Sequence, residues 1–506
     1  APDVATTGTL ANTGGVTFAA GGAFDGGLNV SGGTTTLTGA LTTAGTALTL
    51  GAVSLGGAAS LSSADGVITL GAVDGGASSF TLNAGTGGRI SGTSITNTAS
   101  LTVVNASSAA DAVAFTGDLT SSGAIDFNGT QGGTYTVGGA LTAAALTTDT
   151  GGGDGAFSLV LNGGGTVTNA VAFDNTGDLT LGNGGVGVDA FTFTGGADTS
   201  AVGGTVTLGS TITSGSGQAL TFGATTLGAS TLLDSNDGVL TLGAVTGASQ
   251  ALTLDGGTAG SIDGTTISGV STLTIADAAG ASAVDFSGAV GATSIDLNGT
   301  QGGTYTFGGL VTADTLTTDV DDGTVAGDGV FDLALNAGAT ITNAVTFDNA
   351  GALTLGDDGA GTDVFSFGSG VTESSSGTVT LGGRIVTTDD AISFGDVVVG
   401  NATELDTTGT AAGAITVGNV TGTSSLSVDT GAAGGTIGLG TVNGLTDLTI
   451  VDAGGAVTVG AIGGTTPLST VTVTDSSAGV TFGAIDAGTL AITDSAAGQT
   501  IAVTGN

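Results

Sequence analysis

The chain has 506 residues, 101 of them Gly, and a formal charge of −40 that arises from 42 acidic residues against two Arg. Because it contains no Lys or His, it has almost nothing with which to neutralise phosphates, which argues strongly against a nucleic-acid partner and excludes electrostatic binding to an anionic membrane. The absence of Cys excludes disulfides and thiolate sites, and an apolar content of 40% argues against disorder.

The first residues, Ala1-Pro2-Asp3, resemble the start of a protein after removal of a signal peptide. We therefore expect an extracellular or cell-surface location, although a fragment boundary would give the same start. No run of about 18 apolar residues occurs, so we expect no direct membrane insertion. Residues 1–32 are predicted to form an N-terminal cap or joining segment.

Short triplets with Thr between two apolar residues recur along the rest of the chain. Examples are Leu48-Thr49-Leu50, Ile68-Thr69-Leu70, Phe80-Thr81-Leu82, Leu240-Thr241-Leu242 and Leu448-Thr449-Ile450. This alternation is typical of a strand with one buried face, and Gly, Asn or Asp, which favour turns, usually end each triplet. Few stretches of about ten residues lack Gly, so we expect almost no helix.

Longer motifs return after about 172 residues. The motif Gly66–Val73 returns as Gly238–Val245, an offset of 238 − 66 = 172. Self-similarity at a fixed period is the signature of a repeat architecture. We predict three repeats without linkers, at residues 33–202, 203–376 and, shorter and divergent, 377–506.

The spacing of the triplets predicts the fold. They recur at 80 − 68 = 12 and 68 − 48 = 20 residues, as expected for a coil of roughly 20 to 30 residues with two or three short strands. Such coils stack about 4.8 Å apart, with the central Thr of each triplet pointing outward. The predicted fold is an all-β parallel β-helix or β-solenoid built from internal repeats of about 172 residues. A string of β-sandwich domains is the rival, but it would need longer strands and a recurring aromatic core.

The segment Val345–Gly356 reads VTFDNAGALTLG. It resembles the repeats of large exported bacterial surface proteins, namely filamentous-haemagglutinin-type adhesins and autotransporter passenger regions. The resemblance covers most of the chain and lies in the style of its short strand repeats, rich in Gly, Thr and Asn. It implies a right-handed parallel β-helix, secreted or displayed at the cell surface, that mediates adhesion and cell aggregation.

Catalysis has little support in the composition. The usual general bases and nucleophile partners are missing because the chain has no His and no Cys. Paired carboxylates can cleave glycosides, but such sites usually include aromatic sugar platforms, and Tyr135 and Tyr305 are the only Tyr. We expect neither an enzyme nor an organic cofactor.

Asp clusters on Gly-rich turns are the candidate metal sites. Oxygen ligands on flexible turns suit Ca²⁺. The alternative is that these residues form turns and keep the chain soluble. The candidate calcium ligands are Asp234, Asp237, Asp319, Asp321, Asp322, Asp328, Asp357 and Asp358, with Asn236 and Asp363 beside them.

The two cations, Arg89 and Arg384, each follow Gly-Gly and precede Ile. Each is expected to pair with a carboxylate of its own coil or of another subunit, or else to be an ordinary exposed charge.

These features favour an extracellular structural protein whose partner is itself. A solenoid with strand-like ends can join head to tail, or associate laterally, into a surface filament, sheath or matrix. One alternative is an adhesin stalk that binds a cell-surface glycan or protein. A second is an ice-binding solenoid with rows of outward Thr, although unequal coil lengths would disturb a flat row.

Overall fold

The computed structural model describes residues 6–148, 155–318, 329–359, 362–375, 377–407, 409–411, 413–431, 434–451, 454–493 and 499–505. The regular structure in these residues is β-strand, and they contain no helix. The chain divides into two compact units, Ala1–Leu252 and Thr253–Asn506. Each is a parallel β-solenoid of about 22 residues per turn, so the predicted fold class is confirmed. The longer repeat of about 172 residues stays a prediction.

The strands up to residue 246 are β1 Gly8–Asn12, β2 Val16–Phe18, β3 Gly22–Ala23, β4 Leu28–Gly32, β5 Thr35–Thr42, β6 Leu48–Leu50, β7 Val53–Ser62, β8 Val67–Leu70, β9 Val73–Asp74, β10 Ser79–Asn83, β11 Arg89–Gly92, β12 Ile95–Thr98, β13 Ser100–Asn105, β14 Val113–Phe115, β15 Leu119–Ser121, β16 Ala124–Phe127, β17 Thr134–Val137, β18 Leu141–Ala143, β19 Ala145–Thr147, β20 Ser158–Leu161, β21 Gly165–Val167, β22 Val171–Ala172, β23 Leu179–Leu181, β24 Ala190–Phe193, β25 Ala197–Asp198, β26 Val206–Leu208, β27 Thr211–Ser214, β28 Leu220–Phe222, β29 Thr225–Leu227, β30 Thr231–Asp234, β31 Val239–Leu242 and β32 Val245–Thr246.

The strands from residue 252 onward are β33 Leu252–Asp255, β34 Ser261–Gly264, β35 Ile267–Asp277, β36 Gly280–Phe286, β37 Val290–Leu297, β38 Gly303–Phe307, β39 Val311–Ala313, β40 Thr315–Thr317, β41 Asp332–Leu335, β42 Ala339–Ile341, β43 Val345–Phe347, β44 Leu353–Leu355, β45 Val364–Phe367, β46 Val371–Glu373, β47 Val379–Leu381, β48 Arg384–Thr387, β49 Ile392–Phe394, β50 Val397–Val399, β51 Thr403–Asp406, β52 Ile415–Val417, β53 Val420–Gly422, β54 Leu426–Asp429, β55 Ile437–Leu439, β56 Val442–Asn443, β57 Asp447–Ile450, β58 Val457–Val459, β59 Leu468–Val473, β60 Val480–Phe482, β61 Ala487–Ile492 and β62 Ile501–Val503.

Most turns consist of three strands, so a strand pairs in parallel with the strand three places later. In the first unit β11 pairs with β14, β14 with β17 and β17 with β20. The register partners Ile90, Val113, Tyr135 and Leu159 are 113 − 90 = 23, 135 − 113 = 22 and 159 − 135 = 24 residues apart. Turn length therefore varies while the register holds, because the corners between strands absorb the difference.

The core is a set of apolar columns that run from turn to turn. Leu48 and Leu50 are buried and Thr49 between them is half-buried, as the triplet pattern predicts. Leu28, Leu48 and Ile68 are register partners, and each is at most 1% exposed. Burial of such a side chain contributes about 1.5–3 kcal/mol, so the stack stabilises each turn through its two neighbours.

Both Tyr belong to this core. The ring of Tyr135 stacks on Phe157, with centroids 4.3 Å apart, and Tyr305 stacks on Phe331 at the same distance. Both Tyr side chains are buried, which raises the pKa of each phenol. They therefore pack the interior and offer no exposed surface on which a sugar could stack.

Candidate functional site

Three carboxylates converge at the corner after β44. One oxygen from each of Asp357, Asp358 and Asp363 lies within 4.8 Å of the others. Asp363 is buried, and its Oδ2 accepts the backbone N–H groups of Asp357 at 3.0 Å and Asp358 at 2.9 Å. The two donor residues expose their own carboxylates. We name this cluster the acidic corner.

The first unit contains the same corner without the cluster. The buried Asp189 accepts, through Oδ2, the backbone N–H groups of Asn183 at 2.9 Å and Gly184 at 2.8 Å. The inner Asp therefore closes the corner in both units, and its role does not depend on the outer acids. Asp357 and Asp358 are acidic additions at positions where the first unit has neutral residues.

Electrostatic repulsion is concentrated in the acidic corner. Partial desolvation by the surrounding corner, followed by the charges of Asp358 and Asp363, raises the pKa of Asp357 although its side chain is exposed. A bound cation would remove this repulsion, and oxygen-only ligands on a corner suit Ca²⁺. The corner thus combines two predicted calcium ligands, Asp357 and Asp358, with Asp363.

The second described cluster forms a turn. The Oδ1 of Asp234 accepts the backbone N–H of Asn236 at 2.7 Å, and Ser235 Oγ donates to the carbonyl of Gly238 at 2.9 Å. Asn236 and Asp237 adopt positive φ angles of 46° and 72°. This conformation suits Asn and Asp. The structure does not place Asp234 and Asp237 in a group of three carboxylates among the residues it describes.

The four remaining candidate ligands, Asp319, Asp321, Asp322 and Asp328, lie outside the described residues.

Many other Asp side chains tie one turn to the next, a role that the sequence analysis missed. Carboxylate oxygens of Asp65, Asp118 and Asp178 accept the backbone N–H groups of Gly87, Ala140 and Thr205, respectively, at 2.8–2.9 Å. Asp389 and Asp396 accept those of Ala411 at 2.6 Å and Asn419 at 2.7 Å. We call these bonds inter-turn ties. In the sequence, such a tie shows only as an Asp followed, one turn later, by a residue whose backbone N–H can donate. The partner therefore cannot be identified until the length of each turn is known.

Two exposed Asp show the electrostatic effect of such bonds. The backbone N–H and the side chain of Asn419 lower the pKa of Asp396. The backbone N–H of Gly76, in the same turn, and then the side chain of Asn97, one turn later, lower the pKa of Asp74. Hydrogen bonds to a carboxylate favour its charged form.

Each Arg pairs with an acid of the following turn. Of the alternatives left open by the sequence, a partner in the same coil is therefore wrong, and a partner in another subunit is not tested. Arg89 Nη1 lies 2.9 Å from Asp111 Oδ2, and both side chains are exposed. Arg384 contacts Glu404 at 3.1 Å and also Asp406, which is buried. Although burial opposes it, the hydrogen bond to Asp406 and the neighbouring charges raise the pKa of Arg384. Arg384 thus neutralises a buried carboxylate, whereas Arg89 forms a surface pair.

Within the described residues there is no helix that is long and apolar enough to cross a membrane. Comparisons of the chain with family models, with curated proteins and with solved structures gave no match.

Proposed function

We propose that the chain is an extracellular structural protein, a β-solenoid that assembles with copies of itself into a surface filament, sheath or matrix. This proposal rests on one observation: buried polar side chains form hydrogen bonds that fix the corners of the solenoid. A structural role requires a stable, regular stack of turns, and these side chains provide it.

The buried hydroxyls illustrate this use. Ser63 Oγ donates to the carbonyl of Gly66 at 2.7 Å, and Thr407 Oγ1 donates to that of Gly413 at 3.0 Å. Both side chains are fully buried. A buried polar group costs free energy unless it is hydrogen-bonded, so these bonds stabilise the corners.

The NH2 groups of two buried Asn act in the same way. Asn175 Nδ2 lies within 3.3 Å of three carbonyl oxygens, those of Phe157, Gly177 and Asp178. Asn349 makes the equivalent contacts in the second unit. These side chains face backbone groups of the corners, which favours a scaffold over a binding pocket.

Assembly has a physical route in the strand edges. Strands of neighbouring turns pair in parallel along the solenoid, as β58 does with β55 and β60, and a second copy can pair with a terminal turn in the same way. An open edge presents unpaired N–H and C=O groups that another chain can complete. A head-to-tail contact that does not close on itself gives a filament.

Electron microscopy of the purified chain tests the proposal. We expect filaments whose number rises with protein concentration. Samples with calcium and with a chelator would show whether divalent cations screen the repulsion between copies. A chain that stays monomeric at high concentration in the presence of calcium would contradict assembly and favour an adhesin stalk.

The adhesin stalk is the second candidate, and the corner Asn183–Asp189 favours it. Val186 and Val188 are 48% and 72% exposed on this corner. Exposed apolar side chains on a corner can contact a protein ligand. Binding to cells that is lost in Val186→Ser/Val188→Ser, with the melting temperature unchanged, would support this alternative.

A further inference from the structure

Five Asn-Gly dipeptides occur in the chain, and each is a chemically reactive sequence. The Gly nitrogen can attack the Cγ of the preceding Asn, because Gly has no Cβ to obstruct the approach. Ammonia leaves, and water opens the resulting cyclic imide to aspartate or isoaspartate. The Asn side chain must be free to turn toward its own backbone. The dipeptides are Asn128-Gly129, Asn162-Gly163, Asn183-Gly184, Asn298-Gly299 and Asn443-Gly444.

Four of these Asn side chains are held by the fold. All four residues are half-buried. Three of the side chains form hydrogen bonds that the reaction would have to break, and the fourth has a buried Oδ1. The contacts are Asn128 Nδ2 to Asp126 Oδ2 at 2.7 Å, Asn298 Nδ2 to Asp296 Oδ2 at 3.1 Å and the backbone N–H of Thr465 to Asn443 Oδ1 at 3.2 Å, and the buried oxygen is that of Asn162.

The dipeptide Asn183-Gly184 is the exception. Both of its residues are exposed, at the start of the corner Asn183–Asp189 in the first unit. The carboxamide of Asn183 forms no hydrogen bond with another residue that the structure describes. Its side chain is therefore free to approach the nitrogen of Gly184, and water has access to both residues.

A proton acceptor lies beside the attacking nitrogen. The Oδ2 of the buried Asp189 accepts the backbone N–H of Gly184 at 2.8 Å, a distance at which a carboxylate can act as a general base. As the nitrogen bonds to Asn183 Cγ, its proton passes to Asp189. The bond between Cγ and Nδ2 then breaks, and the proton leaves with the amide nitrogen as ammonia. Water adds to one carbonyl of the ring, which gives aspartate or isoaspartate.

We propose that Asn183 is a deamidation site, at which this reaction gives the corner a second carboxylate. The second unit shows that such a corner accommodates the aspartate product. Asp357 lies 357 − 183 = 174 residues after Asn183, and Asp363 lies 363 − 189 = 174 residues after Asp189. The backbone N–H of Asp357 donates to Asp363 at 3.0 Å, as that of Asn183 donates to Asp189 at 2.9 Å. A neutral corner thus becomes acidic as the protein ages.

The new carboxylate changes what the corner can bind. Val186 and Val188 in the same corner are 48% and 72% exposed. A charge beside them weakens an apolar contact with a protein and adds an oxygen ligand for a cation such as Ca²⁺. This inference is independent of self-assembly, since the reaction requires only the folded corner.

Incubation of the folded chain at mildly alkaline pH, followed by peptide mapping with mass spectrometry, tests the proposal. The same chain in denaturant gives the rate of each dipeptide without the fold. We expect folding to slow the other four dipeptides by about tenfold, since their side chains must first leave their contacts. Asn183 should react in the folded chain at least as fast as in denaturant. Slowing of Asn183 to the same extent as the others would overturn the proposal.

The pH dependence of the rate tests the role of Asp189. In denaturant, hydroxide removes the proton, so the rate should fall steeply as the pH is lowered to neutral. In the folded chain, the rate at Asn183 should fall less, because a carboxylate accepts the proton. An equally steep fall in both states would exclude Asp189 as the proton acceptor.

The variant Asn183→Gln is the control for the position of the reaction. Its longer side chain must close a larger and less favourable ring, so the mass change in this corner should disappear while the unfolding temperature is kept. A mass change that persists in Asn183→Gln would place the reaction at another residue and contradict the assignment.

Discussion

Asp189 and Asp363 show how a single carboxylate shapes a corner. Each accepts two backbone N–H groups that would otherwise have no partner within the corner. The negative charge strengthens both bonds. In the acidic corner the two donor residues are exposed, so water can replace part of the lost hydrogen bonding. Removal of the buried carboxylate should therefore lower the free energy of unfolding only moderately.

We expect Asp363→Ala to reduce the stability of the second unit by about 1.5 kcal/mol, since hydrogen bonds to a charged group are lost. Thermal unfolding followed by circular dichroism would measure the change. The exposed Asp358 provides the control, because Asp358→Ala should leave the unfolding temperature nearly unchanged. Equal losses in the two variants would show that the corner does not depend on its buried acid.

The two Arg provide a second comparison at this scale. Arg384→Gln should destabilise the chain by about 2 kcal/mol, because it removes a charge-assisted hydrogen bond from the buried Asp406 while Arg384 itself is partly exposed. Arg89→Gln should cost no more than about 0.5 kcal/mol, since its partner is an exposed acid. Unfolding temperatures of the two variants under identical conditions test the difference. A larger loss of stability in Arg89→Gln than in Arg384→Gln would contradict the conclusion that Arg384 stabilises the fold by neutralising Asp406.

Among the elements of the fold, the acidic corner is the predicted binding site for calcium. We expect Ca²⁺ to bind with a dissociation constant of about 10⁻⁴–10⁻³ M, as in extracellular sites with few charged ligands. Isothermal titration calorimetry would measure it. Asp357→Asn/Asp358→Asn should abolish the binding and lower the stabilisation that calcium gives, whereas the Asn183–Asp189 corner has a single carboxylate and serves as the internal contrast. Unchanged affinity in the double variant would place calcium elsewhere.

The elements themselves could be predicted because their signal is local. The triplet Leu48-Thr49-Leu50 shows in sequence the alternation that it has in the strand. The side of the solenoid on which a triplet lies could not be predicted, since the triplets on all sides look alike. The inter-turn tie from Asp396 to Asn419 depends on which strands stack, and corners of variable length conceal the stacking in the sequence.

For the molecule as a whole, protonation should affect stability in two opposite ways. Asp263 and Asp357 have raised pKa values, from burial first and then from neighbouring acids. Their charged forms are unfavourable in the folded state, and lowering the pH from neutral removes that cost. Asp74 and Asp396 have lowered pKa values, so their contribution is present above the ordinary value of 3.8 and is lost as the pH falls through their folded values.

We therefore expect the unfolding temperature to rise as the pH falls from neutral towards the ordinary Asp pKa of 3.8, and to fall once the pH drops below it. Differential scanning calorimetry across this range would measure it. Asp396→Ala should reduce the loss on the acidic side and leave the rise near neutral pH in place. A monotonic increase of stability down to pH 2 would show that the relief of repulsion outweighs the inter-turn ties.

Corners that absorb changes in length while the strands keep their register have an evolutionary consequence. A codon inserted in such a corner lengthens a loop and leaves the stacked strands where they were. Turns can therefore differ at their corners, with a neutral Asn183-Gly184 in one and Asp357-Asp358 in another, while the strands keep their stacking. The same tolerance offers the protein engineer sites, such as the segment between Asn183 and Asp189, at which foreign peptides can be displayed at regular intervals.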